Sequence, residues 1–283
     1  MPRSLALRTA AAITGVSLAA IALTACQTGG TTDESAAPAS EWVTDGKFTV
    51  GTGEPAYFPW VSDDAPESGE GFEAAVAYAV AAELGFAAED VVWVRTTFDE
   101  AIAPGPKNFD VNLQQFSITD ERKEAVDFSS PYYETTQVVI TTEASAAASA
   151  TSLAELAPLL IGAQTGTTSF SAAEEIIAPD AGVQVFNSNE DAKLALESGQ
   201  VDAIVVDLPT AFYIAGVELD GGVIVGQLPD SAGGADAFGL VLPKDSPLTA
   251  KVTAAVDTLR ENGTLAEIEQ AWLAEFAGAP VLR

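Results

Sequence analysis

Gln115-Phe116-Ser117-Ile118-Thr119-Asp120-Glu121-Arg122, followed by residues 123–128 and then Ser129-Ser130-Pro131-Tyr132-Tyr133, joins a strand, a helix start and a misplaced cation. Residues 111–116 read as a strand, less regular than its neighbours. Thr119 suits a helix N-cap, and Asp120 and Glu121 then meet the positive end of the helix dipole. Arg122 does not suit that end. Two readings stand side by side. Arg122 is a surface cation paired with Glu121 or Asp120, or it is kept for a negative partner that also favours a helix N-terminus, such as a carboxylate.

On the N-terminal side, residues 47–50 read as the first strand, and a Gly/Pro turn follows over residues 51–59. After Gly71 a helix is expected, because Phe72, Val76, Ala79, Val80 and Leu84 form one apolar stripe and Gly85 closes it. Val91-Val92-Trp93-Val94 is a β-branched strand. A second set repeats the logic beyond residue 150. Ser152 and Glu155 have the spacing of a capping box. Strands follow at residues 159–163, 183–186, 203–206, 223–225 and 238–242. One helix starts near residues 169–171, and another runs over residues 189–197 to Gly199. Two helices finish the chain, the last opening with a Thr264–Glu267 capping box and burying Ile268, Trp272 and Phe276. Strands alternating with helices predict an α/β fold with largely parallel sheets. The extended run at residues 137–142 and the Ala/Ser stretch at 144–152 mark a boundary between two lobes.

Composition narrows the chemistry. The chain has 283 residues and is 48% hydrophobic and 8% aromatic, enough to bury a core in one large domain or two modest ones. Its formal charge of −29 repels nucleic acid and anionic lipid, so neither is an expected partner. There is no histidine, which removes the commonest general base and the commonest zinc ligand. With one cysteine, no disulfide, thiolate cluster or Cys–His dyad forms within the chain. No Ser-x-x-Lys spacing occurs either. Neither a metal nor a cofactor is expected.

Arg3 and Arg8 precede an Ala-rich apolar run over residues 10–25, broken by Thr14, Gly15 and Ser17. The run is weak for a spanning helix and suits the h-region of a signal peptide. It ends in Leu23-Thr24-Ala25-Cys26, which resembles the bacterial lipobox, where small residues precede a cysteine that becomes lipidated. Residues 1–25 are thus expected to be a lipoprotein signal peptide and residues 26–44 a lipidated Cys26 with a flexible tether. The alternative is an ordinary secretory signal with a coincidental cysteine. In lipoproteins the cysteine carries two or three acyl chains, enough for stable anchoring. The expected location is the extracytoplasmic face of the cell membrane.

The segment from Gln115 to Tyr133 is similar to one found in bacterial extracellular solute-binding proteins of family 3, the polar amino-acid class. There it reads roughly S/T-I-T-x-x-R … V-D-F-S-x-P-Y-Y. The resemblance continues at Gly71-Phe72-Glu73, Gln164-Thr165-Gly166-Thr167-Thr168, Val201-Asp202-Ala203-Ile204-Val205-Val206-Asp207-Leu208-Pro209, and Phe238-Gly239-Leu240-Val241-Leu242-Pro243-Lys244. The matches keep their order from about residue 47 to about residue 272.

This resemblance implies a type II periplasmic-binding-protein-like fold. Lobe 1 would hold residues 45–140 plus 236–283 and lobe 2 residues 141–235. Residues 137–142 and 238–242 would cross between them. It implies that Arg122 holds a ligand α-carboxylate bidentately, with backbone donors from Thr167 and Thr168, a turn that residue type alone reads as a helix cap. Asp207 would accept the α-ammonium, although a strand-end Asp before a proline is often only a turn residue. Ser117 and the carbonyl of Gln115 would complete these contacts, and the side chain of Gln115 stands where many relatives have a small residue. Tyr57 and Phe98 match rings that sandwich the ligand side chain. Glu54 lies near a pocket acid of several relatives, and Gln164 replaces side-chain contacts of others. Ala75 stands where many relatives carry a second acid, which weakens the case for a strongly cationic ligand.

The implied function is a monomeric solute-binding lipoprotein of an ABC importer, not an enzyme, which delivers an amino acid to a membrane permease. Rival readings are a binder of another zwitterion (an opine or a compatible solute), a dehydratase or lytic enzyme on the same fold, and a receptor's sensor lobe. Because the chain ends at Arg283 with no spanning or signalling segment, the last would need a separate partner.

Overall fold

A computed structural model describes residues 41–229, 236–276 and 278–283. The expected signal peptide, Cys26 and most of the expected tether lie outside the described residues. The chain builds β1 (Phe48–Thr52), α1 (Phe72–Glu83), β2 (Val91–Arg95), α2 (Phe98–Ile102) and β3 (Val111–Asn112). It continues with α3 (Asp120–Ala125), β4 (Val126–Phe128) and β5 (Tyr133–Thr135). Next come β6 (Gln137–Thr142), α4 (Leu153–Leu156), β7 (Ile161–Gln164), α5 (Thr168–Ala172) and β8 (Gln184–Phe186). Then follow α6 (Asn189–Glu197), β9 (Ala203–Asp207), α7 (Leu208–Tyr213) and β10 (Gly222–Gln227). The chain returns through β11 (Asp236–Phe238) and β12 (Val241–Pro243) to α8 (Thr249–Glu261) and α9 (Thr264–Trp272).

Two five-stranded sheets result, ordered β2-β1-β3-β12-β4 and β10-β6-β9-β7-β8. β1 is parallel to β2 and β3, and β7 is parallel to β8 and β9. The antiparallel pairs all involve β12 in the first sheet and β6 in the second. Each sheet therefore has one reversed strand, and it is the strand by which the chain arrives from the other lobe. The expectation of largely parallel sheets holds for strand direction, with this single reversal in each.

Alternation along the strands explains why both faces of the second sheet are covered. Val138 and Ile140 of β6 join Ile204 and Val206 of β9 in one core cluster; Val139, Ala203 and Val205 join the other. Continuous apolar runs are what a strand buried on both faces requires. In β7, Gly162 lets the sheet meet its neighbour closely, since a Cβ there would fall 2.7 Å from the ring of Phe186. The first lobe's main cluster packs Phe48 and Val50 of β1 against Phe72, Val76 and Val80 of α1, and against Val252 and Val256 of α8.

The structure corrects several expectations. The crossing strands are β5 and β11, which pair antiparallel from Asp236↔Thr135 to Phe238↔Tyr133. Residues 137–142 are not a connector, because that run is a buried interior strand whose hydrophobicity serves the second core. The second lobe's sheet accordingly begins at Gln137 and not at residue 141. The last residues leave the first lobe: Val281 bridges Gln227, and Leu282 is buried in the second lobe's core. The tether cannot run to residue 44. Trp42 sets its ring edge-on to Phe86 (4.8 Å) and Phe48 (6.0 Å), and the Val43 amide donates to Asp110. Neither expected capping box forms, as Ser152 makes no side-chain cap bond and Gly263 occupies the N-cap before Thr264. A box forms instead at Thr97 and Glu100, opening α2.

The lobes face each other closely. The Trp60 indole donates to the Thr210 hydroxyl of the opposite lobe at 3.0 Å.

Candidate functional site

Thr119 caps α3 by accepting from the Arg122 amide, which fixes the first turn. The Arg122 side chain then folds back into the protein and is 8% exposed. Its Nη1 donates to the Ser117 carbonyl at 2.7 Å, and its Nη2 crosses to the Gly166 carbonyl of the second lobe at 2.8 Å. The guanidinium lies 5.3 Å from the centre of the Phe98 ring, which stacks at 4.7 Å on Phe116. Burial disfavours its charge, and Asp236, Asp207 and Glu121 restore it. The surface-pair reading of this arginine fails, because Asp120 is paired with Lys123 and the guanidinium points inward. The cation is buried and rests on two carbonyls and a ring.

Across the cleft, Thr167 caps α5 through a bond from the Phe170 amide, and its own hydroxyl donates to the Gln164 carbonyl. The hydroxyls of Thr168 and Ser117 meet at 3.1 Å, one from each lobe. Asp207 ends β9 and precedes α7, but its carboxylate makes no helix-cap bond. It accepts from Gln137 Nε2 at 2.8 Å. Burial, with Asp236 beside it, pushes the Asp207 carboxyl up to about 8. The turn-residue reading does not account for a carboxylate held this way.

Phe98, Gln115, Ser117, Arg122, Gln164, Thr167, Thr168 and Asp207 surround a pocket of about 40 Å³. A larger cavity of about 340 Å³ adjoins it, sharing Phe98, Gln114, Gln115, Gln164 and Asn189. Tyr57 and Glu54 line the larger cavity. Burial and the nearby Glu190 and Glu218 push the Tyr57 hydroxyl up to about 12, so it remains a neutral donor. All ten expected site residues thus line this cleft.

Gln115 adopts a left-handed backbone (φ 53°) that turns its amide toward Glu73 at 2.7 Å, while its side-chain amide bonds the other Glu73 oxygen. Its side chain is therefore tied down rather than loose in the pocket.

Glu73 joins the site without any signal in the sequence pattern. It is 2% exposed, lines the larger cavity, accepts from the Tyr132 hydroxyl, and is pushed up to about 7 by burial. Gly71 sets it there. At φ 105° and with a Cβ position 2.5 Å from the Trp60 carbonyl, only glycine lets α1 start this close to the cleft. An acid in a first helical turn is unremarkable in sequence, which hid it. Gln114 and Asn189 were missed as well; the paired glutamines after an apolar strand were the available signal.

The profile of the bacterial extracellular solute-binding proteins, family 3, matches residues 48–275. The chain belongs to that family. It is similar to an L-arginine-binding protein of Pseudomonas aeruginosa, 33% identical over 184 residues, which is 62% of this chain and 70% of that protein. A probable histidine-binding protein of Neisseria gonorrhoeae is 28% identical, over 92% of this chain and 93% of its own length. A solved ancestral arginine-binding protein bound to arginine aligns with a TM-score of 0.65 at 32% identity, covering 81% of this chain and 98% of that one. The architecture is the two-lobed type II binding-protein fold, as the sequence resemblance implied. Among the described residues, no helix is long and apolar enough to cross a membrane.

Proposed function

We propose that the protein captures one amino acid in the cleft, with the α-carboxylate on Arg122 and the α-ammonium on Asp207, and hands it to an ABC permease. The observation that carries this reading is the convergence of a guanidinium and a carboxyl group, one from each lobe, on a single small pocket. Ser117 and the start of α5 would complete the carboxylate contacts. The larger cavity would take the side chain between Tyr57 and Phe98.

We infer a cationic side chain, with L-arginine first in order. Glu54, Glu73 and Glu190 line that cavity together with the amides of Gln114, Gln164 and Asn189. The arginine- and histidine-binding names of the relatives support the same choice. Ala75 does not line the cavity, so its lack of charge removes nothing from it. Closure is favoured because only the closed state brings both charged groups to the ligand. Two charge-assisted contacts in a desolvated cleft suit a dissociation constant of about 1 μM, roughly −8 kcal/mol. We infer capture and release without chemistry, in keeping with a sequence that has no histidine. A lipid on Cys26 would keep the protein at the outer face of the membrane, and exchange of Cys26 for Ser should release it to the soluble fraction.

A thermal-shift and calorimetric panel of the twenty amino acids, an opine and a betaine tests the ligand assignment. Stabilisation by arginine above the others is the expected result. Binding of the betaine or opine alone would overturn it.

A further inference from the structure

Asp236 belongs to none of the motifs that led to the site. It sits on β11, the returning crossing strand, paired with Thr135 of β5. Its Oδ2 accepts from Gln137 Nε2 at 2.5 Å, the same nitrogen that donates to Asp207 Oδ1 at 2.8 Å. The orientation of that amide is fixed from its other side, because the Ser169 hydroxyl donates to Gln137 Oε1 at 2.6 Å. A flipped amide would lose both carboxylate bonds and face an oxygen to two acids. Gln137 Nε2 also lies 3.4 Å from the Thr168 hydroxyl. Two carboxylates are thus held against one nitrogen, and one of them, Asp207, lines the small pocket.

The charges around the pair are few. Arg122 is the cation acting on it, and Asp236 supports the Arg122 charge more strongly than Asp207 does. Glu73 adds negative charge toward Asp207, and the neutral phenols of Tyr132 and Tyr133 feel it. Two neighbouring carboxylates facing a single buried arginine do not both ionise cheaply. One proton resolves the conflict in the ligand-free cleft. An arriving ammonium supplies the missing positive charge and makes that proton unnecessary.

We propose that Asp236 is a second carboxylate of the ammonium site, held beside Asp207 by Gln137, and that entry of the ligand ammonium displaces the proton that Asp207 carries beside it. Binding is then coupled to the crossing strand itself, since one of the two acids rides on β11. The inference rests on the proposed ammonium role of Asp207.

Calorimetry of the protein with L-arginine, in buffers of different ionisation enthalpy at pH 6.5, counts the protons released. The wild type should release close to one, and its affinity should rise about tenfold per pH unit between pH 6 and pH 7. Asp236→Asn should release far less and show a flattened pH profile while still binding arginine. Glu73→Gln alters the side-chain cavity and reports the share of the other raised carboxyl; a release lost there and kept in Asp236→Asn overturns the inference. No release from the wild type, or an unchanged release and slope in Asp236→Asn, overturns the inference. No binding by the wild type across the amino-acid panel overturns the proposed function and this inference together, whereas binding without proton release overturns the inference alone.

Discussion

The two lobes solve the same packing problem with different materials. Among the described residues, every fully buried large aromatic side chain lies in the first lobe or at its end of the crossing, including Phe48, Trp60, Phe72, Phe109, Phe116 and Phe238. The second lobe fills both faces of its sheet with Val, Ile, Leu and many alanines, among them Ala172, Ala192, Ala195 and Ala203. Aromatic rings bury large areas each and lock their neighbours, so the first lobe is a stiff platform from which Arg122 reaches inward. Small side chains let helices approach the sheet closely, and the second lobe presents helix starts and a strand end to the cleft. The carboxylate end of the site is thus proposed to stand on packing, and the ammonium end on hydrogen bonds.

The largest expected effect tests the packing half. Phe72→Ala should cost about 3–5 kcal/mol of stability and more than Ile204→Ala in the second lobe, for which the range is about 2–5. Denaturant unfolding measures both, and equal costs would erase the contrast.

Arg122→Ala should weaken arginine binding at least a hundredfold, about 3 kcal/mol, while a melting curve shows a folded protein. Arg122→Lys should recover only part, because an ammonium lacks the two-pronged geometry. Affinity within threefold of wild type in the alanine variant would remove Arg122 from the site.

Asp207→Asn should lose about 2 kcal/mol of binding at pH 8 and do the reverse to the empty protein. The Asp207 carboxyl is raised to about 8 from a usual value near 4. Stability present at low pH is therefore lost as the pH rises through this window, because the fold disfavours the ionised form. The asparagine variant escapes that loss. Without ligand it should melt higher than wild type at pH 8.5, and the gap should close toward pH 4. A gap of opposite sign would mean that the carboxylate is stabilised as an ion.

The smallest effect concerns closure. Trp60→Phe removes the indole bond between the lobes and should cost binding about 1 kcal/mol, with a larger radius in solution scattering before ligand is added.

Much of this was legible in the chain, unevenly so. Period-two and helical patterns located most elements, and the ordered motifs around Arg122, Thr168 and Asp207 brought every expected lining residue to one cleft. Patterns failed where a residue's meaning depends on what lies across space. Residues 137–142 look alike as a connector or as an interior strand until β9 and β10 flank them. Glu73 looks like any acid at a helix start until Tyr132 and Gln115 enclose it. Capping boxes at Ser152 and Thr264 matched in spacing and not in backbone, since side chain and amide must also meet in angle.

The position of Trp60 has an optical consequence. Of the four tryptophans, Trp42, Trp93 and Trp272 pack against the first lobe's core, and only Trp60 spans the gap to Thr210. Opening the cleft would break that one indole's bond and bring water to its Nε1 edge, while its ring stays in the first lobe's core and the other three stay in place. Its emission should shift to longer wavelength in the open state and return on closure, so the protein carries a built-in fluorescent gauge of its own motion.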